Sequence, residues 1–505
     1  MKMKRYLIAA LAVVFVMLSF AGCKAREKGS EMNGDGAAFV PAYPNAGASP
    51  DEAMKGDAET QIPGFAENPF IATQEEAVST FSADVDTASY TYFRKLVGQG
   101  YRFDQIMANG ESFRTEEFLN YFKYEASAPQ NGELFGVMAA IFDCPWNSGT
   151  KLMSLTLQAE EAAPEAGNNL VFLIDVSGSM SASDKLPLLK KSFTYLVSQL
   201  NADDRVSIVT YSGKEKVVLS GCPGDQSKRI MDAINGLKAN GVTNGEAGLK
   251  MAYTEAERNF IANGNNRIIM ASDGDLNVGI SSAEELKRFV EGKRDNGVYL
   301  SILGFGTGNY RDSKMEALAD NGNGVYYYID GESEAERIFG TDLLSTLYTV
   351  AKDVKLQITF DPEYVASYRL IGYENRVMDK EDFDDDRKDA GEVGAGHQVT
   401  VLYELTVIGD AAQADTWMEL GVRYKRPGEE VSQLNRYAIG CRNIREPGDD
   451  LLFQTAVVET CMVLHNSKYL KDIDLAHVLE ILNGLELSSG TDRAEFRDLL
   501  RKLAK

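Results

Sequence analysis

Three short stretches of the 505-residue chain carry side chains whose types and spacing suit cation chemistry. The first is Asp175-Val-Ser177-Gly-Ser179-Met, directly after an apolar run. The second is Gly241-Val-Thr243-Asn-Gly245, and the third is Asp273-Gly-Asp275, after the run Arg267 to Ser272. Brought together, Asp175, Ser177, Ser179, Thr243 and Asp273 offer oxygen donors alone, with no thiolate or imidazole. Hard oxygen ligands suit Mg2+, or another divalent cation such as Mn2+ or Ca2+, rather than zinc or copper. Two carboxylates match the charge of the ion, and three hydroxyls add dipoles without adding charge. Mg2+ prefers octahedral coordination and keeps waters, so such a site leaves a position that a carboxylate of another molecule can take.

Each of these residues also has a plainer role. A lone Ser after a strand is a common helix N-cap; the combination with Asp175, Thr243 and Asp273 is what favours the metal site. Asp273-Gly-Asp275-Leu-Asn277 also imitates the Asp-x-Asp start of haloacid-dehalogenase phosphatases, with Asp273 as nucleophile. That reading leaves the Ser and Thr cluster unexplained. No Gly-x-Ser-x-Gly elbow or Walker loop is present, so serine-hydrolase and nucleotidase readings lack support. The acidic run Asp379 to Asp389 has three calcium-loop spacings (Asp382, Asp384, Asp386). Arg387 and Val393 occupy the positions that require Gly and Glu, so a solvated loop is expected. Asp84 and Asp86 read as strand-end carboxylates rather than ligands. His397, His465 and His477 are scattered among different elements and read as structural or surface residues.

For the three loops to meet, the strands before them must lie side by side in one sheet. Within Asn169 to Asp175 (NLVFLID) the run Leu170 to Ile174 is continuously apolar, as expected of a parallel strand covered on both faces. Leu186 to Leu200 then recurs at helical spacing, with Leu189, Phe193 and Leu196 on one side. Arg205 to Tyr211, Arg267 to Ser272, Val298 to Phe305 and Gly324 to Ile329 continue the strands, separated by helical patterns. This alternation over residues 168–350 predicts a doubly wound, mostly parallel α/β sheet. Ligands of such sheets sit outside the carboxyl ends of the strands, where these loops are. The flanks have a different rhythm. Residues 131–167 and 351–445 alternate as β-strands, so the α/β block is expected to be inserted into a β-sandwich-like module supplied from both sides. Residues 75–130 read as a small N-terminal α/β module, and residues 446–505 as a C-terminal helical region.

Asp-x-Ser-x-Ser, a downstream Thr and an Asp-Gly after a later strand resemble the metal-ion-dependent adhesion site of von Willebrand factor type A domains. Gly304-Phe-Gly306 and Gly322-Asn-Gly324-Val-Tyr-Tyr look like the later strands of that family. The resemblance implies that Ser177, Ser179 and Thr243 coordinate the metal directly, with Asp175 and Asp273 often acting through water. It also implies a non-enzymatic role, in which the metal bridges to an Asp or Glu of a protein partner. Phe81-Ser-Ala-Asp84-Val-Asp86-Thr-Ala-Ser89-Tyr, Tyr368 to Arg376 and Asp389 to His397 look like the flanking modules of a bacterial lipoprotein subfamily carrying this domain. A structural envelope protein, whose metal only rigidifies the loops, is the remaining alternative.

The amino terminus bears on location. Lys2, Lys4 and Arg5 precede an apolar run from Tyr6 to Phe20 and the small residues Ala21 and Gly22, the layout of an export signal over residues 1–22. Ala21-Gly22-Cys23 resembles a bacterial lipobox, which implies acylation at Cys23 and a lipid anchor in the cell envelope. Lys24 favours the outer membrane. Residues 23–62 are rich in Gly, Ala, Ser, Pro and acidic residues, and so are expected to be a flexible tether with an end-to-end distance of about 35 Å. The formal net charge of −23 repels phosphate backbones and argues against nucleic-acid partners. The four later cysteines, Cys144, Cys222, Cys441 and Cys461, contain no C-x-x-C pair, which indicates neither zinc nor redox chemistry. Their pairing is left open by the sequence.

Overall fold

The computed structural model describes residues 66–108, 110, 113–161, 166–241, 245–274, 283–306, 312–409, 411–471 and 473–505. The export signal, Cys23 and the tether lie outside the described residues.

The chain begins with strands β1 (Ile71–Ala72) and β2 (Val78–Ser82) and helices α1 (Ala88–Gly98), α2 (Phe103–Met107) and α3 (Thr115–Tyr121). A hairpin, β3 (Phe135–Asp143) and β4 (Lys151–Ala159), leads into the α/β block. That block runs β5 (Asn168–Asp175), α4 (Leu186–Gln199), β6 (Arg205–Tyr211), β7 (Lys216–Pro223), α5 (Ser227–Asn235), α6 (Gly245–Arg258) and β8 (Asn265–Ser272). It continues with α7 (Ala283–Arg294), β9 (Tyr299–Phe305), α8 (Asp312–Asp320), β10 (Tyr326–Ile329), α9 (Glu332–Glu336) and α10 (Leu343–Leu347). Strands β11 (Thr349–Phe360), β12 (Val365–Ile371), β13 (Gly391–Gly394), β14 (Gln398–Val407), β15 (Met418–Lys425) and β16 (Gln433–Ile439) follow. Helices α11 (Asp449–Leu464), α12 (Leu475–Gly484) and α13 (Asp492–Leu503) end the chain.

The α/β block forms one six-stranded sheet in the order β10-β9-β8-β5-β6-β7. All its pairs are parallel except β6 with the edge strand β7. Every residue of β5 is buried, because helices cover both faces of the sheet. On one face Phe193 of α4 stacks on Phe172 of β5 at 4.4 Å. On the other, Leu249, Ala252, Tyr253 and Ala256 of α6 join Val171, Leu173 and Val209 in a second core. Gly248 lets α6 approach the sheet closely: a Cβ there would lie 2.6 Å from Tyr211. The strand order reverses at β5, which has β6 on one side and β8 on the other. The crevice of such a sheet opens at this reversal.

The flanks build two antiparallel sheets, β1-β12-β14-β4-β3 and β13-β11-β15-β16, with β2 paired to β11. Strands from before the α/β block (β1, β2, β4) therefore pair with strands from after it (β12, β11, β14). This is the insertion that the β rhythm of the flanks predicted. One face of the first sheet packs on the second, through Leu155, Leu157, Val401, Tyr403, Leu356 and Leu420. Its other face, with Ala140, Phe142, Leu152 and Leu402, is covered by a helical layer made of α1, α3 and the three C-terminal helices. Helix α11 lies in the middle of that layer and is buried almost all round. Aromatic rings fasten it: Phe122 meets Phe453 at 4.9 Å and Phe496 at 5.6 Å.

Candidate metal centre

Strand β5 ends on Asp175, and β8 ends one residue before Asp273; the two strands are adjacent and parallel, with Ile174 opposite Ala271. Asp175 and Asp273 therefore flank the reversal in strand order, at the carboxyl edge of the sheet. Asp175 is completely buried, and its Oδ1 accepts a 2.8 Å hydrogen bond from the backbone N–H of Ser177. This turns the chain so that Ser177 and Ser179 face each other, Oγ to Oγ, at 2.9 Å. Ser177 is buried and Ser179 exposed, so the loop offers one oxygen inside the crevice and one at its mouth.

The loop that carries Thr243 is drawn to the same place. The Asn240 N–H donates to the Val176 carbonyl at 2.7 Å, and the Gly178 N–H to the Gly241 carbonyl at 3.0 Å. Thr243 itself lies outside the described residues, as do Asp275 and Asn277. Tyr211, at the end of β6, closes the floor. Burial, followed by the Asp175 carboxylate, holds its phenol well above the ordinary range.

A residue that sequence reasoning missed completes the arrangement. Lys185, just before α4, places its Nζ 2.8 Å from Asp273 Oδ2 and is itself largely buried. The other Asp273 oxygen, Oδ1, is buried and has no hydrogen-bond partner among the described residues. Gly306, at φ +78°, makes room for the lysine stem, since a Cβ there would lie 2.3 Å from Lys185 Cε. The neighbouring Asp184 pairs with Lys95 of α1 at 2.9 Å, so the N-terminal helix is tied to the rim of the site. Nothing local in the sequence marks Lys185, because its partner is 88 positions away.

The donor set fits a hard divalent cation. A buried carboxylate oxygen without a partner is costly, and Asp273 Oδ1 is such an atom at the crevice. Asp175, Ser177, Ser179 and Asp273 would hold the ion.

The remaining candidates have other surroundings. Asp84 is held by Arg376 at 3.2 Å, and Asp86 accepts from the Tyr326 N–H at 3.1 Å. Arg376 also pairs with Glu316 and Asp320 of α8, and Arg114 with Glu316. This cluster joins the N-terminal segment to the far edge of the α/β sheet. Within the acidic run, Phe383 is buried and Lys355 donates to the carbonyls of Asp382 and Asp385. His397 is buried, with Nδ1 accepting from the Gly394 N–H; burial keeps its pKa well below the usual value. His465 bonds the Phe113 carbonyl at 2.7 Å, and His477 meets Glu459 at 3.0 Å. Cys144, Cys222, Cys441 and Cys461 are all free thiols, and burial pushes Cys144 up to about 12.

Comparison with known proteins bears on the family of the chain. Residues 169–341 match the family model of the von Willebrand factor type A domain, residues 58–154 that of von Willebrand factor, and residues 345–505 that of "Uncharacterized protein YfbK, C-terminal". The uncharacterized protein YfbK of Escherichia coli (strain K12) is 37% identical over 468 residues, covering 86% of this chain and 80% of that protein. The human inter-alpha-trypsin inhibitor heavy chain H3 is 27% identical over 189 residues, which are 35% of this chain and 21% of that one. Among solved structures, a von Willebrand factor type A protein from Catenulispora acidiphila is 16% identical. It covers 76% of this chain and 89% of its own, with a TM-score of 0.41. The central family match and the relationship over most of its length make this chain a von Willebrand factor type A domain protein of the YfbK family.

Proposed function

We propose that this protein is a lipid-anchored cell-envelope protein that binds a protein partner through a divalent cation held by Asp175, Ser177, Ser179, Thr243 and Asp273. The observation that carries this reading is the convergence at the β5–β8 edge. Two buried carboxylates and two facing hydroxyls meet there, and Asp273 Oδ1 is buried without a hydrogen-bond partner among the described residues. When bound, the cation would offer a coordination position to an Asp or Glu of the partner. The chain's own residues do the rest. Asp175 and Asp273 supply the charge that retains the ion, and the exposed Ser179 marks the side left open to a partner. A cation–carboxylate contact with little water around it is strong and strictly metal-dependent. Cys23 and the tether that follows would let the body reach partners above its membrane.

Burial of Asp273, with one oxygen held by Lys185, weighs against its use as a phosphatase nucleophile, which must reach a substrate. Titration of Mg2+ or Mn2+ into the purified full chain should reveal a site that Asp175→Ala removes. Capture of a partner from envelope fractions should fail with chelator and with the variant. A phosphoester turnover assay should be negative. Metal binding unchanged in Asp175→Ala, or turnover lost in Asp273→Asn but kept in Ser177→Ala, would overturn the reading.

A further inference from the structure

The rim of the candidate metal crevice on the side of β6 and β7 is basic, and the metal site makes no use of that charge. Three segments converge there. The turn over residues 212–215, between β6 and β7, lies against Gly241, where a Cβ would stand 3.1 Å from Ser212 Oγ and 3.5 Å from the Gly213 nitrogen. The Gly241 carbonyl accepts from the Gly178 N–H of the Asp175 loop at 3.0 Å. The stretch after α5 is pinned to the same edge by α4: Lys190 Nζ donates to the carbonyls of Asn235 at 3.0 Å and Leu237 at 2.8 Å. Lys214 stands on the turn, Lys216 at the start of β7 opposite Thr210, and Lys238 between α5 and Gly241; all three are exposed.

These lysines differ from others of the α/β block in having no acid of their own. Lys191 pairs with Glu332, Lys228 with Asp232, Lys250 with Glu246 and Lys293 with Glu257, at 2.5–2.8 Å. Lys214, Lys216 and Lys238 have no carboxylate within ion-pair distance among the described residues. With Lys190 they set four ammonium groups against Glu215 of the same turn, on a chain whose formal net charge is −23. The crowding is felt at Lys190, whose pKa is lowered by burial and then by the charge of Lys238. A patch opposite in sign to the rest of the surface, beside a concave site, draws in and orients a ligand of opposite charge. Phosphate-rich ligands are met best by the planar fork of arginine or by a nest of backbone N–H groups. Here the cations are lysines, point charges on flexible stems, spread over three segments. They suit carboxylates dispersed along a peptide.

We propose that the partner presents an acidic segment: beside the carboxylate that meets the cation, further Asp or Glu residues lie along Lys190, Lys214, Lys216 and Lys238. This rests on the metal-bridged reading of the β5–β8 site and names the chemistry of its partner. The probe is a fluorescein-labelled deca-aspartate peptide, followed by anisotropy on the full chain in saturating Mg2+. Its Kd should rise on the order of tenfold between about 50 and 300 mM salt. Lys214→Gln/Lys216→Gln/Lys238→Gln removes three exposed charges; it should bind Mg2+ as the wild type does and the peptide roughly tenfold more weakly at low salt. Lys228→Gln/Lys293→Gln/Lys468→Gln, the same charge change away from the rim, should leave peptide binding unchanged. Binding lost in Asp175→Ala but kept in the rim variant would overturn the proposal and leave the metal contact standing. Binding kept in Asp175→Ala with the same dependence on the rim lysines would support the rim and refute the metal contact. No binding by the wild type, an equal loss in both triple variants, or tighter binding of a thymidine decanucleotide would overturn the proposal.

Discussion

Replacing Lys185 by Met should make the β5–β8 site bind divalent cations more tightly. The ammonium lies 2.8 Å from a fully buried Asp273 carboxylate and is itself only 12% exposed, so solvent screens the pair weakly. A hydrogen bond to a charged group contributes about 1.5–3 kcal/mol net. A cation that draws on Asp273 must replace that bond or tolerate a like charge beside it, and both oppose loading. With 1.4 kcal/mol per factor of ten, Lys185→Met should lower the apparent Kd for Mg2+ by about 10- to 100-fold. Met keeps the apolar stem that passes Gly306, so packing is preserved. In chelator the variant loses the lysine ion pair at Asp273 and should melt roughly 3–12 °C lower, taking 2–4 °C per kcal/mol for a domain of this size. Saturating Mg2+ should close that gap. Isothermal titration and melting with and without chelator measure both effects. Affinity that is unchanged or weaker in Lys185→Met would refute the idea that this lysine stands against the metal.

Other expectations follow from the same geometry. Glu116 is buried, and burial, then the charges of Glu374 and Asp84, push it up to about 8. Its folded pKa is raised, so its stabilising contribution is present at low pH and lost as pH rises through that value. Glu116→Gln should remove this loss, worth roughly a few kcal/mol between pH 5 and 9; an unfolding free energy that falls equally over that pH range in both proteins, measured by denaturant titration, would contradict it. Arg94 donates to both oxygens of Asp330, to Glu334 and to Tyr121, all at 2.6–2.7 Å. Arg94→Met takes the paired guanidinium from the buried Asp330, while Glu334 keeps Arg337, and should cost about 3–5 kcal/mol of unfolding free energy. Gly306→Ala combines a left-handed φ with a collision against Lys185; it should lower the melting temperature of the wild type more than that of Lys185→Ala, which a double-mutant cycle would detect.

Much of the site could be read from the sequence because its parts are local signals. The apolar run ending at Asp175, the Ser pair two and four residues on, and Asp273 after another apolar run each declare a strand end. What escaped notice depends on partners distant in sequence. Strand β7, an antiparallel edge with alternating exposure, lacks the continuous apolar character of its neighbours. Strand β12 carries a buried Arg369, whose burial depends on Glu404, 35 positions on. Lys185 looks like any surface lysine until Asp273 is placed beside it.

The interleaving of the β layers has a consequence for biosynthesis. Strand β4 ends at Ala159, yet its partner β14 does not begin until Gln398. On a ribosome, the hairpin β3/β4 emerges with one long edge bare and must wait for the whole α/β block to be translated. That block pairs mainly with itself and can mature while the hairpin waits. Completion of the sandwich is then a late, long-range closure, and a slow one. The nascent hairpin edge is the stretch most in need of a chaperone.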